Sequence, residues 1–118
     1  MMVYHRSERV AEEIKKEISM IIREDVKDPR ISEMLSVVKV DVSRDLSHAK
    51  IYVSILGSDE EKTETIEGLE SAAGFIRREL GKVLQLRHVP ELDFILDSSI
   101  EYSVHISEKI KQLHEKKR

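Results

Sequence analysis

The stretch Ser71-Ala72-Ala73-Gly74-Phe75-Ile76-Arg77-Arg78-Glu79-Leu80 sets a glycine inside what otherwise reads as one long helix. Glycine in a helix interior costs about 1 kcal/mol relative to alanine. The expectation is therefore that the chain bends here, with Ile66, Leu69, Ala72 and Ala73 forming one buried stripe before the bend. Ile76, Leu80, Val83 and Leu84 form a second stripe after it, and the two need not share an axis. Ser58 or Asp59 caps the start of this region, where Glu60 and Glu61 suit the positive helix end.

Working outward, Val10, Ile14, Ile18, Ile21 and Ile22 recur at helical spacing from Ser7 to about Asp25. Pro29 ends that helix, because the residue before a proline avoids helical geometry. Val38, Val40 and Val42 then alternate with Lys39 and Asp41, and Ala49, Ile51, Val53 and Ile55 alternate with Lys50, Tyr52 and Ser54. Period two on both sides of a short polar connection predicts a hairpin with one buried face. Leu92, Phe94 and Leu96 predict a third strand after Val89-Pro90, and Ser98 with Glu101 predicts a capped last helix carrying Ile106, Ile110 and Leu113. The expected fold class is α+β, with the order helix, strand, strand, helix, bend, helix, strand, helix. Its helices cover one face of a small, mostly antiparallel three-stranded sheet.

The 118 residues, 40% of them apolar, suit a single domain over 1–118 with a short basic tail at about 114–118. No apolar run reaches the roughly 18 residues of a membrane span, and Met1 to Arg6 lacks the apolar core of a signal peptide. A cytoplasmic protein without membrane contact is expected. The absence of cysteine excludes disulfides and thiol chemistry. Charged residues make up 36% and asparagine is absent, a bias resembling that of heat-adapted proteins.

The net charge of -3 is unevenly spread. Residues 59–70 carry one basic side chain against six acidic, whereas residues 71–90 carry four basic against one acidic and residues 107–118 five against two. A basic face is thus compatible with an acidic protein. The five histidines are scattered, and Glu101 with His105 is the only pair at ligand or acid-base spacing. One pair is too few for a metal site, and neither a phosphate loop nor a Ser-His-Asp order accompanies it. No enzyme activity, metal or cofactor is expected.

The element order is that of type II KH domains, which clamp nucleotides with a GXXG loop. Gly57, Gly68, Gly74 and Gly81 include no such pair. In its place Ala72-Ala73-Gly74 resembles the Ala-x-Gly kink between two helices that marks bacterial ribosome-binding factor A. The resemblance extends over nearly the whole chain through Arg6, Arg9-Val10, "KDPRI" at 27–31, "VDVSRDLSHAKIYVS" at 40–54, "GFIRRELGKVLQLRHVPEL" at 74–92, and then Phe94, Asp97 and Ser99. It implies a single-domain KH-like assembly factor that binds the small ribosomal subunit without catalysis. Such a factor assists late maturation and 5′-end processing of the subunit's rRNA and matters most for growth in the cold.

Read with that resemblance, the expected rRNA-binding residues are Arg77, Arg78, Lys82 and Arg87 around the helix after Gly74. Lys39 and Lys50 add charge from the sheet, and Arg30 and Arg44 from the loops. Arg forks and helix amides suit phosphate oxygens. Lys109, Lys111, Lys116, Lys117 and Arg118 form a basic tail able to follow rRNA. Expected partners are the small subunit and its rRNA, with ribosomal proteins and an assembly GTPase as further ones; the chain is expected to be monomeric. Two other readings stand beside this one: a domain that meets ribosomal proteins alone, and a general single-stranded RNA binder.

Overall fold

The computed structural model describes residues 6–97. The order is α1 (Arg6–Met20), a π-helical turn (Ile21–Asp25), β1 (Leu35–Val42), β2 (His48–Ile55), α2 (Asp59–Leu84) and β3 (Glu91–Leu96). The helix predicted after Ser98, with its Glu101–His105 pair and the basic tail, lies outside the described residues.

α1 buries Val10, Ile14 and Ile18, one residue per turn. Its last turn widens, so that the Val26 N–H donates to the Ile21 carbonyl at 3.1 Å, and the successive isoleucines 21 and 22 are both buried. Val26 is extended (φ -86°, ψ 118°), ending the helix ahead of Pro29 as expected.

β1 and β2 pair antiparallel, with Val40 opposite Ile51, Val42 opposite Ala49 and a bulge at Val38 between the Val37 and Lys39 pairs. The turn between them, residues 43–47, rests on Asp45. Its Oδ1 accepts from the Ser43 hydroxyl at 2.7 Å, from the Ser47 hydroxyl at 2.7 Å and from the Ser47 N–H at 3.0 Å. These bonds steady Leu46, which packs on the core with a left-handed φ of 64°, a conformation that costs a side-chain-bearing residue about 1–2 kcal/mol. The same bonds hold the Asp45 carboxyl down at about 2, against an ordinary 3.8, the serine hydroxyls of 47 and 43 contributing most. A carboxyl depressed on folding stabilises above its unfolded value, and that contribution is lost as pH falls from about 4 toward 2. Carboxyl NMR titration is expected to place Asp45 near 2 in the parent and higher in the Ser43→Ala/Ser47→Ala double variant, which loses both hydroxyl donors but keeps the Ser47 N–H bond.

β3 pairs with β2 in parallel, Ala49 beside Leu92 and Ile51 beside Phe94. The mostly antiparallel sheet expected from alternation is therefore mixed, in the order β1-β2-β3. The long helix α2 carries the chain back across the sheet, and a crossover of that kind delivers the next strand parallel.

α2 also corrects the expected bend between two helices. It is a single helix of 26 residues running through Gly74, whose backbone is not among the positive-φ glycines. Leu69, Ala72, Ala73, Ile76 and Leu80 keep one helical phase across the glycine and all pack in or against the core, so one axis serves both stripes. Val83, expected inside, is 52% exposed. Both helices bury their stripes against the same sheet face, where Ile14, Ile18, Ile51, Val53, Leu69, Ile76 and Leu80 are fully enclosed. Apart from the single long helix, this is the KH-like α+β arrangement that the resemblance implies.

Candidate nucleic-acid interface

α2 starts at a reciprocal cap: the Glu61 N–H donates to the Ser58 hydroxyl at 3.1 Å, and the Ser58 N–H donates to the Glu61 carboxylate at 3.4 Å. Beneath its first half lies the 28–32 loop. The Thr65 hydroxyl, fully buried, accepts from the Ser32 N–H at 3.2 Å and donates to the Glu61 carbonyl at 2.7 Å, with the Arg30 carbonyl 3.3 Å away as alternative acceptor. Three residues on, Gly68 lets Ile31 and Arg30 approach the helix backbone.

The cations expected to bind rRNA divide into those already engaged and those free. Arg30 is engaged: its Nη2 lies 2.7 Å from Asp28 Oδ2 and its Nε 3.1 Å from Oδ1, which lowers the Asp28 carboxyl and raises the guanidinium. Arg77 is engaged as well. Its Nη2 donates to the Val89 carbonyl at 2.9 Å and its Nε to the Pro90 carbonyl at 3.1 Å, so it fastens the segment entering β3. Lys82 pairs with Glu79 at 3.3 Å on the surface, a contact worth little in water. Arg78, Arg87 and Arg44 are exposed and have no partner among the described residues.

Lys39 and Lys50 stand apart from these. They occupy outward positions of β1 and β2, on the sheet face away from the helices. Lys39 Nζ lies 5.6 Å from the Tyr52 ring centroid, a cation–π contact. Lys50 is in register with Asp41 on one side and Asp93 on the other. That face also carries the His48–Glu91 pair at 3.6 Å, so its charges are mixed rather than basic.

Four of the remaining cations share one end of the molecule. The Glu91 N–H bonds the Ser47 carbonyl at 2.9 Å, which brings the α2–β3 turn with Arg87 against the hairpin turn with Arg44. The basic half of α2, with Arg78 and Lys82, leads into that turn. Ser7, Glu8 and Ala11 of α1 line a groove with Val42 and Arg44, so α1 begins at the same end. The acidic half of α2, with exposed Glu60, Glu64, Glu67 and Glu70, points to the opposite end. Charge segregation along the sequence thus becomes segregation in space.

Sequence reasoning missed Phe75, which is 38% exposed on the same flank of α2 as Arg78 and Lys82. Its signal was available: Phe75 falls out of phase with the buried stripe at 69, 73, 76 and 80. Among the described residues no three histidine, aspartate or glutamate side chains gather as a metal site, and no helix is long and apolar enough to cross a membrane.

The family model described as ribosome-binding factor A matches residues 6–110. The ribosome-binding factor A of Caldanaerobacter subterraneus subsp. tengcongensis is 56% identical over 110 residues, 93% of this chain and 90% of that protein. Among solved structures, the solution structure of a candidate ribosome binding factor A from Thermotoga maritima matches with a TM-score of 0.71 and 36% identity, over 86% of this chain and 95% of that one. A Thermus thermophilus ribosome binding factor A, fitted as a homology model into a cryo-EM map of its complex with the 30S subunit, shares the fold. Its TM-score is 0.62 at 23% identity, over 75% of this chain and 91% of that one. The chain belongs to the ribosome-binding factor A family.

Proposed function

We propose that this protein is a non-catalytic assembly factor that binds the small ribosomal subunit through rRNA. It assists late maturation and 5′-end processing of that rRNA and supports growth in the cold, working as a cytoplasmic monomer. Kinship with ribosome-binding factor A supports the class of function, and the 30S complex of the Thermus relative supports the partner. The observation that carries the rRNA contact is the common end shared by Arg44, Arg78, Lys82 and Arg87. Free guanidinium groups there suit phosphate oxygens, and without a GXXG loop the surface reads backbone and shape more than base sequence. Lys39, Lys50 and Arg30, each set among acidic neighbours or an aromatic ring, contribute less. The basic tail 109–118 adds to the contact.

Sedimentation of the protein with immature and mature small subunits over a salt series tests this reading. The Arg78→Ala/Lys82→Ala variant leaves the Arg77 bonds intact, so it is expected to fold and to bind with a salt slope smaller by about two, one for each phosphate no longer neutralised. Equal affinity and equal slope for variant and parent would remove this surface from the interface.

The acidic half of α2, set at the far end, supports a second contact with a basic ribosomal protein or an assembly GTPase. Loss of subunit binding without loss of binding to protein-free rRNA, on changing Glu60, Glu64 and Glu67 to Gln, is the result this contact predicts.

A further inference from the structure

Gly74 has no internal reason to be glycine. A Cβ built on it meets nothing within 4 Å among the described residues, and its backbone is ordinary helix. Gly68 and Gly81 in the same helix, by contrast, would each bring a Cβ to 2.9 Å from a neighbouring side chain. The helix bears the propensity cost of Gly74 without gaining packing against the described residues, and the open space lies on the exposed side of the helix.

The side chains around that space have a definite character. At about 100° per residue, Ser71, Gly74, Phe75, Arg78 and Lys82 fall within about 100° of arc, and all five are exposed. Phe75 presents part of its ring beside two positions with little or no side chain, Ser71 four residues back and Gly74 next to it. Arg78, one turn on, has no partner among the described residues, and Lys82 holds only its surface pair with Glu79. Residues i and i+3 stand about 5–6 Å apart on a helix, so the ring and the guanidinium lie within the span of one nucleotide. The carboxylates of α2 lie chiefly before this stretch, at 59–70.

From this we propose that Phe75 is a stacking platform for one unpaired nucleobase of RNA. The base lies over the ring across the Gly74 gap, and its phosphate meets Arg78. The inference rests on the rRNA-binding reading above and names what this part of the surface takes. An aromatic face accepts any base, whereas a paired base inside a duplex offers no free face. The site therefore selects single-stranded or bulged RNA without selecting sequence.

The test compares Phe75→Leu with Phe75→Tyr, each checked for folding by thermal melting, in binding to small subunits and to protein-free small-subunit rRNA. Phe75→Tyr keeps the ring and is expected to bind as the parent does. Phe75→Leu keeps an apolar group of similar bulk and is expected to lose roughly tenfold on both targets with an unchanged salt slope, unlike Arg78→Ala, which lowers the slope. Equal binding by Phe75→Leu overturns the platform while leaving the rRNA reading intact. Loss on whole subunits alone overturns it in favour of a ribosomal protein. Failure of the parent itself to bind either target removes both readings together.

Discussion

Replacing Arg77 by alanine is expected to destabilise the protein by about 2–3 kcal/mol while leaving its rRNA surface unchanged. The reason is where this guanidinium goes. Its two bonds, 2.9 Å to the Val89 carbonyl and 3.1 Å to the Pro90 carbonyl, close the segment that leads into β3. Pro90 is fully buried, and one turn along α2 the bare Gly81 backbone receives the Val89 side chain. Positions 77 and 81 thus form one seat, i and i+4 on the helix, for residues 89 and 90. Alanine leaves two partly buried carbonyls without a donor, and hydrogen bonds from a charged donor are worth more than neutral ones. Lysine is a weak substitute, because a single ammonium on a flexible stem does not reproduce a planar fork reaching two acceptors.

Denaturant unfolding of Arg77→Ala and Arg77→Lys measures the first part, and hydrogen exchange at β3 measures the second. The β3 amides are expected to exchange faster in both variants, since this strand is an edge held on β2 alone among the described strands. Subunit binding, measured where each variant is folded, is expected to match the parent. Unchanged stability together with lost binding would reverse the assignment and return Arg77 to the interface.

The difference between Arg77 and Arg78 marks how far the sequence could be read. Hydrophobic period located α1, the hairpin and β3 because each buries one face, and burial of one face is what a period records. The direction of β3 was not local information; it follows from the long crossover helix, so a mixed sheet replaced the expected mostly antiparallel one. Gly74 was ambiguous for a related reason. A helix glycine costs the same whether it bends the chain, admits a neighbour or faces solvent, and only the surroundings distinguish these cases. Charge counting located the basic stretch at 71–90 but not its geometry. Adjacent arginines on a helix point about 100° apart. Which of the two meets Val89 depends on how α2 lies on β3. Lys39 and Lys50 illustrate the same limit, since strand alternation placed them outward correctly while their acidic and aromatic neighbours come from pairing register.

Two glycine-to-alanine changes in α2 are expected to act with opposite sign. At Gly68 the new Cβ would lie 2.9 Å from Ile31 Cγ1 and 3.3 Å from Arg30 Cβ. Both atoms sit near the root of their side chains, and the loop that carries them is held by Thr65 through the Ser32 N–H and by the Asp28–Arg30 pair. The loop must lift or the helix must shift. Overpacking of this kind costs about 1–3 kcal/mol, of which the better helix propensity of alanine returns at most about 1 kcal/mol. At Gly74 the Cβ meets none of the described residues and sits on an ordinary helical backbone, so only the propensity term acts and stability rises by about 0.5–1 kcal/mol. Thermal and denaturant unfolding of the two variants, side by side, gives the signs. Subunit binding then separates structure from function: Gly74→Ala is expected to be more stable yet to bind less tightly, because its methyl group occupies the gap beside Phe75. Stabilisation with full binding would mean that nothing enters that gap, whereas destabilisation would mean that Gly74 serves the helix itself.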